Sequence, residues 1–403
     1  MKNLYLLTAL ILSYGTNLTA QNITVGTITT IEDAFDGDTT ILIATDGMPI
    51  ISYNGTSNAS QSLNIYKCNN LQCTNGGVVT VLDSNPSVGS LNSMTLGMDG
   101  LPIIVYNDAI NHSIKVVKCT SVDCSSFITP ITLQDNTDEF VGDSFNIVIG
   151  HDGNPVISYF SSGGVDILAL ELKVLSCTTP NCSAFNQPIT VYDQNTSNNS
   201  LAIGADGNPV LSFFDGVDLR FIKCTSSTCS TFQDSIVLDN TGFFAGENSS
   251  IAIGASGNPI ISYYHNDSND TLKFINCLNT DCSQSSSSIV LDDIGDVGLF
   301  PSMVVDINGN PIISYFDFTS LSLKLIKCTS IDCSTFSPAI VADQGDIAML
   351  KWVGENNSLV LGSNGNLFVS YFDKFNQKLK ILTATHASVD SEIPVFKNGF
   401  EQE

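Results

Sequence analysis

The sequence predicts an all-β protein, a closed seven-bladed β-propeller made of four-stranded antiparallel blades. Three observations support this fold class. A short phrase recurs seven times, each copy lies in a unit of four strand-like runs, and the two ends of the chain supply complementary parts of one unit. Units of about fifty residues with four strands each are typical of propeller blades.

The recurring phrase marks the turn between the first two strands of every unit. Asp-Gly and Gly-Asn supply the positive φ angles of a tight turn. The Pro that follows has no amide hydrogen, so it fits the first residue of a strand. The copies recur every 50–56 residues: DGMPIISY at 46–53, DGLPIIVY at 99–106, DGNPVISY at 152–159, DGNPVLSF at 206–213, SGNPIISY at 256–263, NGNPIISY at 308–315 and NGNLFVSY at 364–371.

The last unit lacks a fourth strand, and the amino-terminal segment supplies one. The fourth run ends in Asp in the other six units, and Ile28–Asp33 ends in the same way. We therefore expect the amino-terminal strand to complete the last blade, because ring closure removes exposed sheet edges. The fourth runs end at Asp83, Asp135, Asp193, Asp239, Asp292 and Asp343.

Twelve cysteines fall into six pairs of identical spacing, which predicts six local disulfides in an oxidising compartment. A zinc site is disfavoured because the pairs lie about fifty residues apart and the chain has four histidines. The pairs are Cys68 with Cys73, Cys119 with Cys124, Cys177 with Cys182, Cys224 with Cys229, Cys277 with Cys282 and Cys328 with Cys333.

The chain divides into three predicted segments. Residues 1–20 have the Lys2 start, apolar stretch and small Ala20 of an export signal. Residues 21–387 are expected to form the single propeller, and residues 388–403 a flexible tail. The mature protein is expected to be secreted, or periplasmic or at the cell surface.

The acidic composition excludes two classes of partner. Lys and Arg total 15 against 40 Asp and Glu, a net charge of −25, and Arg220 is the single arginine. Binding to nucleic acid or to an anionic membrane needs clustered basic residues. We expect a glycan or an extracellular or envelope protein as partner, without nucleic acid and without membrane insertion of the mature chain. The sequence gives no indication of the oligomeric state.

The repeated D-G-N-P-x-I-S-Y phrase resembles the repeats of sialidase-like propellers, in which an Asp/Gly turn punctuates each blade. The resemblance covers nearly the whole mature chain at the level of architecture. The Asp box S-x-D-x-G-x-x-W is absent, and one arginine cannot provide the arginine triad with which that family grips its substrate. The resemblance therefore implies the fold and not sialidase activity.

Residues present in every unit are interpreted as structural. We expect the Asp that ends strand four to cap a turn, the strand-two Tyr or Phe to fill the core, and a small polar residue in strand one to pack near the axis. That polar set is Thr40, Ser93, Asn146, Ser200, Ser250, Ser302 and Ser358.

Departures from the repeat are the candidates for ligand binding. They lie on the face that carries the loops from strand two to three and from blade to blade, which we call the variable face; the opposite face is the turn face. A cation, sugar hydroxyls or acid–base chemistry would suit such carboxylates and an imidazole at one mouth. The candidates are Asp108, Asp215, His265, Asp317 and Asp373 at the end of strand two, and Trp352 in the loop of residues 344–357.

No cofactor is firmly predicted, and calcium is the one candidate. The acidic segments 33–38 and 292–296 place oxygen ligands close together, although neither matches an EF-hand loop.

The leading hypothesis is an exported, non-catalytic propeller that recognises a glycan or a protein through its variable face. A polysaccharide hydrolase or lyase acting through carboxylates, with or without His265, is the alternative. An envelope scaffold is the third interpretation.

Overall fold

The computed structural model describes residues 23–35, 37–57, 60–135, 144–162, 170–194, 196–242, 244–266 and 270–386. In these ranges the chain forms 28 β-strands in seven four-stranded antiparallel sheets, with no α-helix. None of these residues belongs to a helix that could cross a membrane. The expected export signal and carboxy-terminal tail lie outside the described residues.

The seven sheets are the blades of a propeller, and we number them I to VII along the chain. Blade I contains β2 (Thr39–Ile43), β3 (Pro49–Ser57), β4 (Ser60–Cys68) and β5 (Gly77–Asp83). Blade II contains β6 (Val88–Leu96), β7 (Pro102–Asp108), β8 (Ser113–Lys118) and β9 (Ile131–Asp135). Blade III contains β10 (Asn146–Ile149), β11 (Pro155–Ser162), β12 (Leu170–Ser176) and β13 (Ile189–Tyr192). Blades IV and V contain β14 (Ser197–Ile203), β15 (Pro209–Phe214), β16 (Leu219–Lys223) and β17 (Ile236–Asp239), then β18 (Ala245–Ile253), β19 (Pro259–His265), β20 (Thr271–Asn276) and β21 (Ile289–Asp292). Blade VI contains β22 (Val297–Val305), β23 (Pro311–Asp317), β24 (Ser322–Lys327) and β25 (Ile340–Asp343).

Blade VII combines the two ends of the chain. It contains β26 (Val353–Leu361), β27 (Leu367–Asp373), β28 (Lys378–His386) and, as its outermost strand, β1 (Ile23–Asp33). β1 runs antiparallel to β28, from Ile23 opposite His386 to Asp33 opposite Lys378. The predicted closure by the amino-terminal strand is confirmed, and the strand begins five residues earlier than Ile28.

The core lies between neighbouring blades. Strand two of each blade is buried along almost its whole length, because both faces of a central strand are covered by packed neighbours. The strand-two aromatics predicted as core are at most 1 % exposed, which confirms that prediction: Tyr53, Tyr106, Tyr159, Phe213, Tyr263, Tyr315 and Tyr371.

The turn face is built as the repeated phrase predicts. In the fourth copy Gly207 has φ of +82°, a conformation that favours glycine, and the Asp206 side chain accepts a hydrogen bond from the amide of Asn208 at 3.2 Å. Pro209 is the first residue of β15. On the same face, all six predicted disulfides are formed. This face is therefore a stapled, repetitive surface.

Candidate functional site

A cavity of about 650 Å³ lies at the centre of the ring, where residues of all seven blades meet. Its walls come from the segments that enter strand one of each blade, so it opens on the variable face. The lining is rich in amide and hydroxyl side chains, and Asp38 is the one charged residue among the described residues that line it. Leu91, Phe145, Phe300 and Pro301 add apolar surface.

One blade position dominates this wall, two residues before the small polar residue of strand one. In the last four blades this residue has a positive φ, near +50°, at or beside a register shift in the pairing of strands one and two. Asn suits that conformation, whereas Phe at this φ is strained. Around the ring, the position is occupied by Asp38, Leu91, Ser144, Asn198, Asn248, Phe300 and Asn356.

The close packing of the blades fixes this wall. Gly246 has φ of +107°, and a Cβ added there would lie 2.7 Å from the Cα of Leu219 in the preceding blade. Gly298 and Gly354 meet the preceding blade in the same way. The entry to strand one is thereby pressed against its neighbour, which holds the adjoining Asn or Phe half-buried at the cavity.

A ring of hydrogen bonds between strand two of one blade and strand one of the next supports the wall. Ser52 donates to the side-chain Oδ1 of Asn92 at 2.6 Å, and the hydroxyls of Ser212 and Ser249 lie 2.8 Å apart. Where strand two carries the apolar Val105, the facing residue of blade III is the apolar Phe145. The same bond joins Ser158 to Asn199, Ser314 to Asn357 and Ser370 to Thr39.

One position of this ring is incomplete. Ser262 is fully buried, and its hydroxyl has no hydrogen-bond partner within the described part of the chain. By its position in the repeat it corresponds to Ser314, whose partner is Asn357, and the residue at the partner position of blade VI is Pro301. Proline has no side-chain acceptor, which accounts for the unpaired hydroxyl.

The small polar residues of strand one form a second ring. The hydroxyls of Ser200, Ser250, Ser302 and Ser358 each accept a hydrogen bond from a strand-one amide of the next blade, at 3.0–3.3 Å. Their predicted packing role near the axis is confirmed, and they add polar contacts between blades that the sequence did not indicate.

Farther from the axis, four interfaces between blades share a buried triad of Asp, Tyr and Lys. The Tyr hydroxyl donates to the strand-four Asp of the preceding blade at 2.5–2.8 Å, and a strand-three Lys approaches the same carboxylate at 3.0–3.5 Å. The triads are Asp83–Tyr106–Lys115, Asp239–Tyr263–Lys273, Asp292–Tyr315–Lys324 and Asp343–Tyr371–Lys380.

These Asp residues also cap the turn that follows strand four, as predicted. Asp83 accepts from the amide of Asn85 at 3.0 Å, and Asp239 accepts from Thr241 at 2.9 Å. Burial and the neighbouring carboxylate raise the pKa of Tyr315 and Tyr371 well above the usual range, so both hydroxyls stay protonated as donors. At these four interfaces the strand-four Asp is therefore a structural residue that joins two blades.

The predicted site carboxylates lie in the same structural network. Burial raises the pKa of Asp108, but hydrogen bonds from Lys115 and Asn111 outweigh it and hold the pKa below its ordinary value. Asp317 binds Lys324 at 2.8 Å, and Asp373 binds Lys380 at 3.0 Å. Each caps the hairpin of its own blade, and none of them lines the central cavity. The structure does not bring them together there.

Asp215 and His265 occupy the equivalent position in blades IV and V. Asp215 pairs with Arg220 and accepts from the amides of Val217 and Asp218. His265 is 1 % exposed and ends β19 opposite Ala245, away from the cavity lining. The ligand-binding role of the whole carboxylate and His265 set stays a prediction.

Trp352 lies in an aromatic cluster on the variable face of blades VI and VII. Its ring stacks on Phe316 at 6.1 Å between centroids and meets Phe318 edge-on at 5.3 Å. The Lys374 ammonium lies 4.9 Å from the indole centroid, a cation–π contact. Trp352 is half-buried by these contacts, and its predicted role in stacking on a ligand stays a prediction.

The calcium hypothesis concerns carboxylates that are largely engaged by protein cations. Asp33 pairs with Lys378, and Asp292 binds Tyr315 and Lys324. No group of three metal-ligating side chains occurs within the described ranges. Calcium binding at these segments stays a prediction.

Sequence reasoning missed Asn198, Asn248 and Asn356 as cavity residues. A signal was present in the segments GENSS, GLFPS and GENNS, which place a Gly four residues before the strand-one Ser in blades V, VI and VII. The Gly and the bulge it permits turn the intervening side chain toward the axis.

This chain is similar in fold to several solved structures. The BP39L lectin from Burkholderia pseudomallei matches with a TM-score of 0.59 and 10 % identity over 84 % of this chain and 97 % of the lectin. A PL25 ulvan lyase, solved with a bound saccharide, matches with a TM-score of 0.56 and 14 % identity over 92 % of this chain and 97 % of the lyase. The microbial sialidase Hz136 matches with a TM-score of 0.51 and 12 % identity over 88 % of this chain and 65 % of the sialidase.

No protein-family model and no curated protein sequence matches the chain. At these identities the structural matches show the fold alone. The chain is a seven-bladed β-propeller whose structural neighbours include sialidases, polysaccharide lyases and a lectin.

Proposed function

We propose that the protein is an exported, non-catalytic propeller that binds a glycan in the central cavity of its variable face. The observation that carries this proposal is the row of half-buried amides at one blade position of the cavity wall. Asn248 and Asn356 each present a side-chain amide that makes no hydrogen bond within the described part of the chain, and Asn198 makes one long contact, 3.4 Å, to Ser197.

Such amides suit sugar hydroxyls. An Asn side chain both donates and accepts, as a hydroxyl does, so one amide can satisfy adjacent hydroxyls of a saccharide. Phe300 stands at the same blade position and offers an aromatic face for the apolar side of a sugar ring. A cavity of this size is within the usual range for small-molecule sites.

The lining supports binding more than acid–base catalysis. Glycoside hydrolysis generally uses two carboxyl groups across the bond that breaks, and the described lining carries the single carboxylate of Asp38. The lectin among the structural neighbours supports binding, whereas the lyases and sialidases keep catalysis as the competing outcome. The six disulfides support function in an extracellular or other oxidising compartment.

A glycan array with the purified protein, followed by product analysis on every hit, tests this function. We expect binding of a neutral oligosaccharide without cleavage. The double variant Asn248→Gly/Asn356→Gly removes two amides while tolerating the positive φ, and we expect it to weaken binding at least about tenfold, since each lost polar contact is worth about 1 kcal/mol.

The matched control is Asn208→Ala/Asn258→Ala, which removes two half-buried amides from the turn face. It is expected to bind as the unaltered protein does. Hydrolysis or elimination products would show an enzyme, and an array without hits would favour a protein ligand or a scaffold.

A further inference from the structure

The interface between blades III and IV departs from the triad of its neighbours. The strand-two residue is Phe213 in place of Tyr, so it has no hydroxyl to donate, and the strand-three residue is Arg220 in place of Lys. Arg220 turns to Asp215 of its own blade and donates to Ser235 at 3.1 Å. The strand-four residue at the position of the triad Asp is Tyr192, which lies opposite Leu172 as Asp239 lies opposite Leu219, and the exposed Asp193 follows it.

A Tyr from the opposite side of this interface replaces the missing carboxylate. Tyr192 occupies the position held by Asp83, Asp239 and Asp292 in other blades. Its ring packs against Phe213 with 4.8 Å between centroids, and the Arg220 guanidinium lies 5.5 Å from its centroid. Tyr192 is half-buried, in contrast to the buried carboxylates of the other blades.

The departure coincides with a cleft of about 610 Å³ at the outer rim of the ring. Strand four of blade III forms one wall with Tyr192 and Asp193, and Phe232, Asp234 and Ser235 of blade IV form the other. No residue is shared with the lining of the central cavity, which is built from strand-one segments. The cleft is thus a separate concavity where the regular packing is interrupted.

The cleft has exposed ring surface and uncompensated negative charge. Phe232 is 37 % exposed and offers an apolar platform. Among the described residues Asp193 and Asp234 have no ion-pair partner, whereas Glu171 pairs with Lys173 at 3.3 Å and accepts from Thr190 at 3.0 Å. The guanidinium nearest the cleft is already committed to Asp215 and Ser235. An anionic ligand is therefore disfavoured, and a ligand with a cationic donor and an apolar face complements both features.

We propose that this cleft is a second carbohydrate site, which takes a hexosamine unit with a free amine. The sugar ring packs on Phe232 and Tyr192, and the ammonium group lies between the carboxylates of Asp193 and Asp234. The proposal extends the glycan-binding function to a second ligand chemistry, and it does not depend on the central cavity.

Calorimetric titration of the whole protein with the β-1,4-linked glucosamine trimer tests the site, with the N-acetylated trimer as the uncharged comparison. We expect the free-amine trimer to bind at least about tenfold more tightly, with affinity falling as salt rises. Asp193→Asn/Asp234→Asn is expected to weaken binding of the free-amine trimer at least about fivefold, because each exposed ion pair contributes little to the binding free energy. The control Asp152→Asn/Asp293→Asn removes two exposed charges elsewhere and is expected to change nothing.

A second variant uses the chain's own repeat to guarantee a foldable interface. Tyr192→Asp/Phe213→Tyr/Arg220→Lys rebuilds the regular triad with its carboxylate at position 192, and we expect it to fold with an unchanged or higher melting temperature and to lose the trimer, because the Tyr192 ring is gone. Equal binding of the two trimers, binding retained by either cleft variant, or no binding of the free-amine trimer would overturn the proposal. If Asn248→Gly/Asn356→Gly no longer bound the free-amine trimer, the trimer would bind in the central cavity, and the second site would also be overturned. The proposed function fails by a separate result, the absence of binding to neutral glycans.

Discussion

The four interfaces that contain the Asp–Tyr–Lys triad, which we call regular interfaces, differ in chemistry from the interface between blades III and IV. At a regular interface a buried carboxylate is satisfied by a Tyr hydroxyl and a Lys ammonium, as Asp292 is by Tyr315 and Lys324. Between blades III and IV Tyr192 takes the position of that carboxylate, and a cleft of about 610 Å³ opens beside it. The residues that repeat from blade to blade stabilise the ring, whereas the interface that departs from the repeat has a cleft large enough for a ligand.

The difference rests on the cost of burying charge. A buried carboxylate without a partner is strongly unfavourable, so a regular interface tolerates loss of the Tyr or Lys only at a large cost in stability. Between blades III and IV Tyr192 stands in place of that carboxylate, so there is no buried charge that needs a Tyr hydroxyl and a Lys. That interface is free to accept substitutions that a regular one does not.

Lys324→Ala gives the largest expected effect at a regular interface. It leaves the carboxylates of Asp292 and Asp317, each 4 % exposed, without their cation. We expect the free energy of unfolding to fall by about 3–5 kcal/mol, measured by denaturant titration. Lys378→Ala, which breaks the exposed pair with Asp33, is the control and is expected to cost less than about 1 kcal/mol. Equal losses in the two variants would contradict the structural role of the triad.

Tyr315→Phe compares the two kinds of interface directly. The variant removes a 2.6 Å hydrogen bond to a buried carboxylate, and we expect a loss of about 1.5–3 kcal/mol. The matched variant Tyr192→Phe lies at the half-exposed interface between blades III and IV, where water replaces the lost contact, so we expect less than about 1 kcal/mol. Thermal and denaturant unfolding measure both; a larger loss for Tyr192→Phe would reverse the comparison.

The ring of hydrogen bonds between strand two of one blade and strand one of the next offers a finer test. Ser314→Ala removes the bond to Asn357 and leaves that amide oxygen short of a donor, so we expect a loss of about 1 kcal/mol. Ser262→Ala removes a buried hydroxyl that has no partner, and we expect no loss or a small gain. The same unfolding titrations measure the pair, and a loss from Ser262→Ala as large as that from Ser314→Ala would show that Ser262 has a partner after all.

The smallest expected effect is a shift in the pH dependence of stability. Burial raises the pKa of Asp373, but hydrogen bonds from Asn376 and Lys380 outweigh it and lower the pKa from its ordinary 3.8. Its contribution to stability is therefore present above pH 3.8 and is lost as pH falls through the lower pKa of the folded state. In melting curves from pH 5 to pH 2, Asp373→Asn is expected to lose stability less steeply than the unaltered protein. An unchanged slope would argue against the ion pair.

The repeat made the fold predictable in detail. Seven copies of one phrase, with a turn residue and a Pro at fixed places, indicate four strands per blade, and the Asp at the end of Ile28–Asp33 predicted which blade the amino-terminal strand completes. These features are local or periodic, so they need no knowledge of which residues touch. The disulfide pairing is local in the same sense, with a sequence separation of five between partners.

The site was less predictable because its contacts cross between blades. Ser52 and Asn92 are 40 residues apart, and neither position alone indicates the bond. Asp317 and Asp373 were predicted to bind a ligand because they depart from the repeat and carry carboxylates. Each has a Lys seven residues later, and the hairpin brings that Lys to the carboxylate. That spacing was visible in the sequence. The cavity amides, in contrast, depend on bulges that turn Asn248 and Asn356 toward the axis.

A crystal structure of the protein soaked with the neutral oligosaccharide found by the array tests the central claim most directly. The account predicts an intact saccharide in the central cavity, hydrogen-bonded to Asn248 and Asn356 and packed against Phe300. A saccharide bound elsewhere on the ring, or a cleaved product in the cavity, would contradict it.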